Sequence, residues 1–136
     1  MATASATIDI PASADNVWQL IGGFNSLPDW LPFIAQSELS EGGRVRSLRT
    51  ADGAEVVERL RTFDDAAKTY SYSIVQAPFP ATDYLATILV ETQGEGARVT
   101  WSGRFAPQGV SEEEVVALFS GIYQGGLEAL RGNFPG

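Results

Sequence analysis

The sequence predicts an α+β fold in which a curved antiparallel sheet of about seven strands wraps a long C-terminal helix, with two short helices after the first strand. Three observations predict it. Six strand-like segments follow one another between residues 33 and 106, separated by turn residues, and so imply an antiparallel meander. A seventh alternating segment opens the chain at residues 2–10. A helical pattern closes it over residues 112–131, about 30 Å long and able to cross the concave face of such a sheet. The length of 136 residues fits one domain, 1–136, with one core.

Each element has a local reason. Ala2, Ala4, Ala6, Ile8 and Ile10 alternate with Thr3, Ser5, Thr7 and Asp9, giving a strand with one apolar face. Pro11 ends it. Ser13 caps a short helix whose stripe is Val17, Trp18, Leu20 and Ile21, and Gly22-Gly23 stops it. Pro28 and Pro32 confine residues 24–32 to a short helical turn. Strands follow at 33–41, 44–51, 54–63, 68–77, 82–92 and 97–106. Asp52-Gly53 is a hairpin-turn signal, and Gly103 suggests a bulge or bend. Pro78-Phe79-Pro80 is an apolar loop. Ser111 and Glu114 form a capping box for the last helix. Gly125-Gly126 within it costs about 1 kcal/mol per glycine relative to alanine, which suggests close approach of a neighbour or a bend.

Composition excludes several functions. With 9 basic and 17 acidic residues the net charge is −8, which repels phosphate backbones and anionic lipid, so no nucleic-acid partner is expected. Neither cysteine nor histidine is present, which removes thiolate chemistry, the commonest general base and the commonest metal ligands. No metal and no cofactor is expected. Glu112-Glu113-Glu114 is a helix start, Asp64-Asp65 a turn, and neither Gly42-Gly43 nor Gly94-Glu95-Gly96 opens a helix after a strand as a phosphate loop would. The first residues lack a basic region and a long apolar run, and no stretch approaches the ~20 apolar residues of a membrane span. A cytoplasmic protein without membrane insertion is expected; the oligomeric state is not written in the sequence.

A strongly curved sheet cannot collapse flat onto one helix. The space between is expected to stay open as a cavity or be filled by large side chains. The chain here resembles the START/Bet v 1-like superfamily with its helix-grip fold, and more closely a bacterial polyketide cyclase/dehydrase-like branch. The resemblance rests on residues 10–18 (IPASADNVW), Leu27-Pro28-Asp29-Trp30, Asp52-Gly53, Glu58-Arg59-Leu60, Tyr70 with Tyr72, Asp83-Tyr84 and Trp101. It spans about residues 3–131. Its individual motifs are short; their order and spacing carry the likeness, which identifies a container and not its contents.

Glu58 is the most informative charge. It shares a strand face with Val56 and Leu60, so if these look inward the carboxylate sits in an apolar space and needs a partner or a raised pKa. Plant hormone receptors similar in fold carry an inward glutamate in a like segment. Its partner is Arg46 or Arg49. A two-residue turn at Asp52-Gly53 puts Arg49 on the face of Glu58, whereas the resemblance favours Arg46; a bulge or a three-residue loop would reconcile them. Tyr70, Tyr72 and Tyr84 offer hydroxyls on apolar bodies, with packing as their alternative fate. By the resemblance Tyr84 lines the cavity, and Trp30 and Phe79 lie near its mouth as a lid. Trp101 is a wall or plain core. Phe119, Ile122 and Tyr123 on the long helix either form the ceiling or pack as plain core, the commoner fate of such a stripe. The hormone receptors' pocket lysine is replaced here by Ala35, so a lysine-anchored carboxylate ligand is not expected.

Three functions follow. The first is binding or carrying a small hydrophobic molecule such as a lipid, polyketide or aromatic metabolite. The second is an aromatase/cyclase- or dehydrase-like enzyme, with Glu58 and Tyr84 as acid/base candidates. The third is a protein-interaction module, which a filled cavity with a large exposed apolar patch would favour.

Overall fold

The computed structural model describes residues 2–134. Strand β1 (Ala2–Ile10) leads into helix α1 (Ala14–Ile21) and a single turn α2 (Leu27–Trp30). Strands β2 (Ile34–Ser40), β3 (Val45–Thr50), β4 (Glu55–Asp64), β5 (Thr69–Gln76), β6 (Ala81–Gln93) and β7 (Gly96–Pro107) follow, and helix α3 (Glu112–Arg131) ends the fold. The seven strands form one antiparallel sheet in the order β1-β7-β6-β5-β4-β3-β2. The meander is therefore as expected, with β1 returning beside the last strand.

Both caps form. The Ser13 hydroxyl accepts from the Asn16 N–H at 3.1 Å, and Ser111 accepts from the Glu114 N–H at 3.1 Å. Helix α1 is tied to the far hairpin by the Trp18 indole N–H, which donates to Asp65 at 2.7 Å.

The seat of α3 follows from side-chain size. It packs on β1 and β7. Buried Ala2, Ala4 and Ala6 present only methyls there. Gly103 leaves room for the Tyr123 hydroxyl, into which a β-carbon would run. No bulge occurs at Gly103: its pairing with Ala4 and Ala86 continues on both sides, so the glycine answers a close approach and not a bend. Gly126 is used the same way, since a β-carbon would lie 2.7 Å from Trp101 Cζ3 and 2.8 Å from Leu31 Cδ1. Gly126→Ala is therefore expected to destabilise the fold by about 1–3 kcal/mol through overpacking, although alanine is the better helix former. A melting temperature at or above that of the parent chain would contradict this packing.

The Asp52-Gly53 hairpin differs from the two-residue turn. The Thr50 N–H donates to the Ala54 carbonyl at 2.9 Å, leaving residues 51–53 as a three-residue loop. That extra residue shifts the register by one, so Arg46 stands opposite Glu58 and Arg49 opposite Glu55. Further along, β6 carries an irregularity between Thr82 and Leu85, with Asp83 in the left-handed region at φ 53°.

Candidate ligand-binding site

The polar centre of the interior is an ion pair on adjacent strands. Arg46 is only 1% exposed and Glu58 only 7%. Nε and Nη2 of Arg46 converge on one carboxylate oxygen, Glu58 Oε1, at 2.8 and 2.7 Å. Nη1 donates to the Phe24 carbonyl at 3.0 Å. The guanidinium also lies 4.2 Å from the centre of the Phe24 ring and 4.9 Å from that of Tyr72, which favours a desolvated cation. Among the described residues no hydrogen bond reaches Glu58 Oε2. Burial pushes the Glu58 carboxyl above its ordinary range, and Arg46 pulls it only part of the way back. For Arg46, burial disfavours the charge, but Glu58 together with Tyr70 and Tyr72 outweighs it and raises the guanidinium above its ordinary value.

Beside this pair the space is filled largely by rings from β5, β6, β7 and α3. Tyr84 lies 4.9 Å from Phe119, Phe105 lies 4.7 Å from Phe119, and Trp101 stacks 4.7 Å from Tyr123. The Trp101 indole N–H donates to the Tyr72 hydroxyl at 3.0 Å, and the Tyr84 and Tyr123 hydroxyls bond one another. Burial pushes the phenols of Tyr72, Tyr84 and Tyr123 above their ordinary range, so they act as neutral hydrogen-bonding groups.

The interior is thus not the open chamber that the curvature of the sheet suggested. What remains is an inner cleft of about 50 Å³, bordered by Arg46, Glu58, Tyr72, Tyr84, Trp101 and Tyr123 among others. The larger space is a groove of about 730 Å³ at the mouth, walled by α3, the loop after β3 and the loop around Phe79. Phe33, Thr50, Val56, Phe79 and Ile122 border both, so these side chains stand between groove and cleft. The groove exists because α3 sits over the alanine-lined β1 side and leaves the β3–β4 side uncovered.

The structure brings Arg46, Glu58, Tyr72, Phe79, Tyr84, Trp101, Phe119 and Tyr123 around the inner cleft. Trp30 and Tyr70 border neither space. Trp30, expected at the mouth, is 2% exposed and meets Trp101 edge-on at 6.0 Å, and its indole N–H finds no partner among the described residues. Tyr70 packs between Phe24, Trp18 and Tyr72, and its ring lies 5.8 Å from the Arg46 guanidinium. Sequence reasoning missed Phe24, whose carbonyl and ring both hold Arg46, because nothing in an irregular loop marks a carbonyl as inward. It also missed Phe33, Leu118, Gly121 and Ala129 of the groove; the partial exposure of Phe33 and Leu118 shows only in three dimensions. Among the described residues no group of three or more acidic side chains is placed to hold a metal, and no helix is long and apolar enough to cross a membrane.

An open antiparallel sheet of seven strands gripping a C-terminal helix, with short helices after the first strand, defines a helix-grip protein of the START/Bet v 1-like class. Residues 1–134 match the family described as polyketide cyclase / dehydrase and lipid transport, and the chain belongs to that family. It is similar to the protein XoxI from Bacillus cereus at 52% identity and a TM-score of 0.96, covering 98% of this chain and 96% of that one. It is similar to an uncharacterized protein from Bacillus thuringiensis at 51% identity and a TM-score of 0.96, covering 98% of each chain. A START superfamily protein from Mycobacterium smegmatis shares the fold at 16% identity and a TM-score of 0.80, covering 98% of this chain and 97% of that one. No curated protein matches the sequence.

Proposed function

We propose that this protein binds or carries a small hydrophobic molecule, held in the groove with its polar end at the inner cleft. The observation that carries the reading is an apolar groove that shares the walls Phe33, Thr50, Val56, Phe79 and Ile122 with a cleft holding a buried charge pair. The groove volume of about 730 Å³ falls in the range of small-molecule sites, and a few fixed polar groups at the end of an apolar space orient such a ligand. Family membership supports a ligand-binding or cyclase-like role. Burial pushes the phenols of Tyr72 and Tyr84 above their ordinary range, so neither is set to exchange protons near neutral pH, which supports binding over a tyrosine-assisted reaction. The exposed apolar side chains Phe33 and Leu118 line the groove, where an apolar ligand would cover them, whereas Leu39, Phe63 and Val75 lie outside it.

Titration with N-phenyl-1-naphthylamine, a neutral apolar fluorophore, is expected to saturate at one probe per chain and to raise the melting temperature. Native mass spectrometry of the protein purified from cells is expected to show a retained small molecule. The absence of both saturable binding and any retained mass would sink the reading.

A further inference from the structure

The chain is poor in groups that oxidants attack. It has no cysteine and no histidine, and its single methionine is Met1. What remains are three tryptophans and four tyrosines. The structure gathers all seven into one connected network. Trp30 meets Trp101 at 6.0 Å, Trp101 stacks on Tyr123 at 4.7 Å and donates to the Tyr72 hydroxyl, and the Tyr84 and Tyr123 hydroxyls bond one another. Tyr72 lies 6.1 Å from Tyr84 and 6.2 Å from Tyr70, and Tyr70 lies 6.3 Å from Trp18.

The network has two ends. Tyr72, Tyr84, Trp101 and Tyr123 border the inner cleft, next to a groove that opens beside the β3–β4 and β5–β6 turns. Trp18 lies at the opposite end of these strands, where its indole N–H donates to Asp65 in the exposed β4–β5 turn at 2.7 Å. Two members are poor choices for packing alone. The Tyr70 hydroxyl and the Trp30 indole N–H are buried without a partner among the described residues, a cost that phenylalanine at either place would not carry. What an indole or a phenol adds to a phenyl ring is the ease with which it loses an electron. Among the described residues, Trp18 is also the one member whose ring N–H or O–H meets a carboxylate.

We propose that this network is an electron relay, through which a one-electron oxidant of the peroxyl class in the groove is reduced at the expense of Trp18, with Asp65 taking the indole proton. The peroxyl radical takes one electron from a ring at the cleft and becomes the hydroperoxide anion, which solvent protonates. An electron from Trp18 refills that ring by way of Tyr70 and Tyr72. The Trp18 N–H bond breaks as its proton passes to Asp65, which leaves a neutral indolyl radical beside a neutral carboxylic acid. The electron vacancy comes to rest there, because no other ring of the network has a carboxylate within hydrogen-bond reach among the described residues. A soluble enediol reductant such as ascorbate then returns an electron to the radical, and Asp65 returns the proton.

The absence of cysteine permits a test with a single point of attachment. A ruthenium tris-bipyridyl group is placed on the groove wall by Leu118→Cys and alkylation, and flash–quench with hexaammineruthenium(III) generates the oxidant there. Transient absorption and electron paramagnetic resonance distinguish neutral indolyl, indolyl-cation and tyrosyl radicals. The labelled chain is expected to yield a neutral indolyl radical, with a lifetime that ascorbate shortens. Trp18→Phe in the same background is expected to abolish it. Asp65→Asn, an exposed change that leaves the ring in place, is expected to abolish the neutral form as well. An undiminished neutral indolyl radical in either variant overturns the relay. So does a tyrosyl radical as the settled product, or the absence of any protein radical. Should Trp18→Phe fail to fold, Asp65→Asn decides alone.

Discussion

Arg46→Met is expected to cost the fold about 3–5 kcal/mol near neutral pH, since it leaves a carboxylate buried without its counter-charge. The loss depends on pH in a determined direction. Burial already holds the Glu58 carboxyl above its ordinary value of 4.5, and Arg46 is what pulls it back. Without Arg46 the folded-state value rises further. The native state then binds a proton that the unfolded chain has released, and stability falls as pH rises from about 4.5 upward. Relative to the parent chain, the variant is least impaired on the acid side, where Glu58 is protonated, and most impaired above neutrality. Glu58→Gln behaves differently, because the Arg46 guanidinium cannot discharge; its deficit of similar size is nearly independent of pH. Urea unfolding of the parent and both variants at pH 5 and pH 8 separates these patterns. An equal deficit for Arg46→Met at both pH values would show that charge pairing is not what the arginine supplies.

Phe119→Ala is the second large effect. The ring is 1% exposed and meets Phe79, Tyr84, Phe105 and Tyr123. Removing it is expected to cost about 3–5 kcal/mol, the sum of lost transfer energy and an unfilled cavity. Phe119 borders the inner cleft, so the void joins a space that already exists. Benzene should then stabilise the variant, returning about 2.7 kcal/mol at a hundredfold excess over its dissociation constant. Denaturation with and without benzene checks both parts. A loss below about 1 kcal/mol would show that the ring is not packed as described.

How much of this was legible in the sequence depends on the range over which each feature is decided. The strands were readable because alternation is local: Ala2 to Ile10 and the Tyr70–Tyr72 segment announce their inward faces by themselves. Helix α3 was readable for the same reason, from Ser111 to Arg131. The choice between Arg46 and Arg49 was not, because it turns on one residue in the loop at 51–53, and a single-residue slip exchanges every face of the strand. The depth of Trp30 was not legible either, since the Leu27–Trp30 turn is positioned by what it packs against. The filled interior lay beyond the sequence for a third reason. Tyr72, Tyr84, Trp101, Phe119 and Tyr123 come from four separate elements, and whether five rings leave a chamber or close it depends on how they mesh.

The alanine methyls of β1 reach further than their own contacts. They border neither the groove nor the cleft, yet they let α3 settle against one flank of the sheet. The width of the groove is thus set at a distance, by a strand that does not border it. Widening or narrowing the groove would begin at Ala2, Ala4 and Ala6, where each added carbon would press on the seat of α3 and tilt it.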